Sequence, residues 1–146
     1  MDDKEMEARL ARLAGELKRV QAEAARSNEQ SHRETERHRE LFAGIKTGIL
    51  VPAVQQFHDM LAHQGISSLV ETDSPLPDSV KLTIGPHHLT LTTRADYSEI
   101  LCTTNILRSA PGHHPKAVAA WPLETVTRET VKAAIFSFIE EALKPA

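Results

Sequence analysis

The sequence predicts an α+β fold: a long, coiled-coil-like N-terminal helical arm, a second helix, an antiparallel sheet of three to five strands, and a C-terminal helix covering one face of that sheet. Three observations predict it. Apolar residues from Met6 onward follow a heptad, the hydrophobic period changes to two after Gly65, and it returns to a helical spacing after Thr127.

The arm comes first. Met6, Leu10, Leu13, Leu17, Val20 and Ala24 recur in alternating steps of four and three, a two-position seam on one side of a helix. Ala, Glu, Arg, Leu and Lys dominate residues 4–26, which favours helix throughout except at Gly15. The same register then meets Ser27, Ser31, Glu34 and His38, none of them apolar, before returning to Leu41 and Ile45. A helix that is polar all round is a solvated spacer, held by side-chain pairs or not stable. Here Glu29–Arg33, Arg33–Glu36, Glu34–Arg37 and Glu36–Arg39 supply such pairs, each contributing a few tenths of a kcal/mol. Residues 1–40 therefore read as an arm with a polar spacer over 27–40, spanning about 60 Å if wholly helical. Residues 41–146 read as the α+β domain.

The segment from Leu41 to Gly65 predicts a second helical region, with Phe42, Ile45, Ile49, Ala53, Phe57, Met60 and Leu61 on one face. Pro52 lacks an N–H and clashes with the carbonyl of Gly48, so a kink near Gly48–Pro52 or a fresh helix start is expected. Gly65 followed by Ile66 is a stop signal. Beyond it, "SSLVET" reads as a first strand. "SVKLTIG" sets Val80, Leu82 and Ile84 against Lys81 and Thr83, "HLTLTTRA" sets Leu89 and Leu91 against Thr90 and Thr92, and "EILCTTNIL" puts Ile100, Cys102, Thr104 and Ile106 on one side. Turn signals at Gly85–Pro86 and Ala95–Ser98 make this a meander, and its threonine-rich face implies a sheet covered on one side. "KAVAAWPL" is an edge strand ended by Pro122. In "TRETVKAAIFSFIEEAL", Thr127 is the N-cap and Val131, Ile135, Phe138, Ile139 and Leu143 form the buried stripe.

Composition narrows the function classes. Residues 1–40 carry ten acidic and nine basic side chains, and the remainder ten and eight, so no basic footprint for nucleic acid stands out. Aromatic residues are few and do not interleave with lysine or arginine. The longest apolar run, Ile49–Val54, is far too short to cross a membrane. The start has no basic segment leading into an apolar one, and a single cysteine fits a reducing compartment, so a cytoplasmic setting is expected. There is no glycine-rich phosphate loop, no G-x-S-x-G and no Cys-x-x-Cys.

Eight histidines are the one compositional oddity. His87–His88 in the first hairpin turn and His113–His114 after the third meander strand would emerge at one end of the sheet, and imidazole is a common ligand for zinc or nickel. Neighbouring side chains diverge, however, and no thiolate or carboxylate with ligand spacing accompanies them. Surface loops are the better reading. Cys102, in mid-strand, reads as a small buried hydrophobe rather than a nucleophile. His58 and His63 do not share a helix face, and Glu71, Asp73 and Asp78 flank a proline-containing loop where carboxylates usually serve the backbone.

A leucine ridge cannot stay wet at no cost. The leading expectation is a non-catalytic interaction protein needing no cofactor. Met6, Leu10, Leu13, Leu17 and Val20 would form an oligomer interface, giving a homodimer or higher assembly or recruiting a helical protein partner, while the body presents a binding surface. The competing expectation is a small-ligand- or metal-binding domain, enzymatic or not, that works from the histidine-rich loops.

Overall fold

A computed structural model describes residues 2–74, 76–107 and 115–145. It is an α+β structure. The chain divides into two compact units, Met1–Arg37 and His38–Ala146. Helix α1 (Asp3–Ile45) runs without a break through the polar stretch, so residues 27–37 are helical rather than a hinge. Asp2 caps its start: Oδ1 accepts the Glu5 N–H at 2.8 Å. Of the predicted pairs, Glu29–Arg33 closes to 3.9 Å with both side chains mostly in solvent, where it contributes little. No residue from Asp2 to Arg37 is buried.

In the second unit the end of α1 leads through one π-helical turn, Lys46–Leu50, into α2 (Val51–His63). The N–H of Val51 reaches back to the Lys46 carbonyl, one residue further than in an α-helix. Pro52 stands in the first turn of α2, where its missing N–H falls at the change of hydrogen-bond register. The wider turn inserts roughly one residue into the apolar stripe. Phe42, Leu50, Val54, Phe57 and Leu61 are buried, while Ile45 and Ile49 are half-buried and Met60, expected in the stripe, is exposed. α2 ends in a full Schellman motif. Gly65 has φ 75°, its N–H bonds to Ala62 O at 3.0 Å, and Ile66 N–H bonds to Leu61 O at 2.9 Å.

Five strands follow in the spatial order of the chain: β1 (Leu69–Thr72), β2 (Val80–Ile84), β3 (His87–Thr93), β4 (Glu99–Asn105) and β5 (Lys116–Pro122), all antiparallel to their neighbours. Gly85, at φ 56°, and Pro86 form the two-residue β2–β3 turn, a glycine-first sequence suited to the type II′ hairpin. Because side chains alternate, one face carries Val80, Leu82, Ile84, Leu89, Leu91, Ile100 and Cys102, all buried. Thr104 and Ile106, further along that side, are half-buried. β5 is an edge strand, and its pairing slips between Cys102 and Thr103, leaving Val118 without an opposite residue.

Helix α3 (Arg128–Leu143) begins with Thr127 accepting the Thr130 N–H, while the Thr130 hydroxyl accepts the Thr127 N–H, a reciprocal cap. Val131, Ile135, Phe138 and Ile139 are buried, but Leu143, expected with them, is 46 % exposed. α2 and α3 share the core with the apolar sheet face. No helix among the described residues is long and apolar enough to cross a membrane.

Candidate functional site

The five large side chains of the seam are the least satisfied apolar groups of the arm. Met6, Leu10, Leu13, Leu17 and Val20 are between 47 and 64 % exposed, in a unit with no buried residue among those described to support them. Their spacing stacks them in one ridge, since residues three and four apart are neighbours on a helix. Arg9, Glu16 and Glu23 flank the ridge at seven-residue intervals.

The histidines do not form a cluster among the described residues. His87 and His88 belong to β3 rather than to the turn before it, and as successive strand residues they face opposite sides of the sheet. They do not converge on one ion. His87 Nδ1 accepts the Leu107 N–H at 3.1 Å, which places its neutral-state proton on Nε2. His88 Nδ1 lies 3.0 Å from Thr83 Oγ1 on the threonine-rich face, and across the ladder Asn105 keeps a buried Oδ1 with no hydrogen-bond partner among the described residues. His113 and His114 lie outside the described residues. Among those described, no group of three or more His, Cys, Asp or Glu is placed to hold a metal ion.

Burial, reinforced by the nearby Lys81 charge, lowers the His88 pKa below the ordinary histidine value. The unfolded chain therefore binds the proton more readily, and stability at this residue is full above about pH 6.5 and is lost as pH falls below it. Urea midpoints should decline from pH 7.5 to pH 5.5, and a His88→Gln variant should decline less. Equal slopes would remove His88 from the account.

Cys102 is fully buried, and burial pushes its thiol up to about 12. A thiol held protonated is a poor nucleophile. His58 is engaged with Ser68, its Nδ1 2.6 Å from Ser68 Oγ, and His63 lies at the last turn of α2.

A different constellation draws together residues whose link the chain order hides. Asp73, Asp78 and Tyr97 have φ of 59°, 53° and 58°, the left-handed region that a bulky side chain rarely adopts. All three share one network. Asp73 Oδ1 accepts Lys46 Nζ and the Asp78 N–H, and the Tyr97 hydroxyl donates to Asp78 Oδ2 at 2.6 Å. The Tyr97 ring packs 5.9 Å from Phe42, with the Arg39 guanidinium 5.9 Å from its centroid. The Lys46 ammonium holds the Asp73 carboxyl below the usual carboxylate range. Beside the network lies a cleft of about 440 Å³ lined by Phe42, Lys46, Thr47, Val51, Asp73 and Asp78. Its carboxylates are committed to internal donors, so the arrangement fastens the β1–β2 loop and the β3–β4 turn to the helix at Arg39–Lys46. That is a positioning role, in keeping with strain held by surrounding contacts.

The body also exposes an apolar groove of about 270 Å³ between α2 and α3, lined by Phe57, Met60, Leu61, His63, Phe136 and Ile139 among others. Phe136, 52 % exposed, meets Phe57 at 6.4 Å between ring centroids. The sequence signals neither feature, because each depends on which residues of distant elements end up adjacent. The class that fold and surfaces define is an α+β protein bearing an apolar-ridged helical arm. Comparison with family models, with curated proteins and with solved structures returns no match.

Proposed function

We propose that this chain is a non-catalytic interaction protein that self-associates through its N-terminal helix, its α+β body presenting a binding surface. One observation carries the reading: a ridge of five large apolar side chains stands about half exposed on a helix whose own unit has no buried residue among those described. Fully burying one such side chain contributes roughly 1.5–3 kcal/mol. Covering five half-exposed ones on each of two chains is therefore worth on the order of 10 kcal/mol, comparable with the roughly 4–15 kcal/mol that association costs. The pairing is accordingly reversible and depends on concentration.

Sedimentation of the full chain and of a fragment covering residues 38–146 tests this. Every buried residue among those described lies between Phe42 and Ile139, so the fragment retains that core. The full chain should sediment as a dimer or larger species at tens of micromolar, and the fragment as a monomer. Two monomers would end the reading, and two equal assemblies would move the interface to the body. A full chain that stays monomeric until mixed with a foreign amphipathic helix would point to a heterologous partner.

A further inference from the structure

We infer that two copies of the arm pair antiparallel, in the register that sets Leu13 against the partner's Leu17. This rests on the self-association proposed above and adds its geometry. In that register every seam residue meets an apolar one: Met6 lies over the partner's Ala24, Leu10 over its Val20 and Leu13 over its Leu17, and the two-fold relation repeats each layer. Size is matched as well, the long methionine filling the space left by the alanine, as close packing requires. Parallel pairing instead stacks each residue on its own copy, leaving Ala24 against Ala24 with a gap.

The flanking charges favour the same choice. The antiparallel register brings Arg9 beside the partner's Glu23, twice by symmetry, at the cost of one Glu16–Glu16 approach at the centre. The parallel register faces Arg9 with Ala14 and Glu23 with Asn28, and brings Asp2 near the partner's Glu7. Flanking charges of this kind set orientation in paired helices. The overlapping ridge, from Met6 to Ala24, is about 28 Å long, and the polar stretches leave it at opposite ends.

Cysteine cross-linking reads the register directly, because the native Cys102 is buried and its thiol stays protonated. Ala14 faces its own copy across the centre of the antiparallel pair, whereas Leu17 faces its own copy only in the parallel pair. In full-length chain under mild oxidation, Ala14→Cys should form the covalent dimer and Leu17→Cys should not. A charge exchange leaves the ridge intact: Arg9→Glu should weaken dimerisation by about tenfold at low salt, and adding Glu23→Arg should restore it. Cross-linking at Leu17→Cys alone, or a charge exchange without restoration, overturns the register while leaving self-association standing. Sedimentation of the parent chain as a monomer overturns both.

Discussion

A Leu13→Glu, Leu17→Glu double substitution is expected to reduce the assembled chain to monomer, lowering the association constant by at least about a hundredfold. Each change replaces an apolar contact with a carboxylate, and an unpaired charge in an apolar seam costs several kcal/mol. Symmetry doubles every such penalty in a homodimer, because each copy carries the change. The body should be untouched, since neither residue is buried and both lie outside the unit that holds the core. Sedimentation over a concentration series, with the thermal transition of the body as control, separates the two effects. A double variant that assembles like the parent would remove the ridge from the interface.

Phe42→Ala should destabilise the body by about 3–5 kcal/mol, the usual range for emptying a buried aromatic site. Phe42 is 1 % exposed and packs against the Tyr97 ring, whose left-handed backbone needs such support. Its neighbour makes the control. Leu41, 46 % exposed, continues the heptad register of the arm, and Leu41→Ala should cost less than about 1 kcal/mol. Urea denaturation of the two variants would show whether the helix has turned its burying face to Phe42. Equal losses would contradict the packing described here.

That neighbouring pair shows where sequence periodicity informs and where it stops. The sheet, expected with three to five strands, was legible because alternation between Val80, Leu82, Ile84 and their threonine or lysine neighbours is a local pattern, and β-hairpin turns have local chemistry. Thr127 and Gly65 marked helix ends for the same reason. Met60 and Leu143 fit their helical stripes by spacing, yet both are exposed, because tertiary packing chooses how wide a buried face becomes. The π turn shifted the stripe onto Leu50 and Val54, a change that depends on hydrogen-bond register around Pro52 rather than on hydropathy. The Lys46–Asp73–Asp78–Tyr97 network was not legible as a whole, since its members lie on three separate stretches of chain and only the fold brings them together. Of the two exposed apolar surfaces, the ridge could be read from the heptad, while the groove at Phe57 and Phe136 could not.

The irregular pairing at Val118 has a further consequence. An unprotected outer strand invites another molecule to extend the ladder, and unchecked extension ends in fibres. On β5 the row of amides is kinked at its middle by the unmatched valine, begins at a charged lysine, and closes on a proline that has no hydrogen to donate. Sheet growth is thereby discouraged on that flank, so the arm pairing proposed above would not compete there with strand addition.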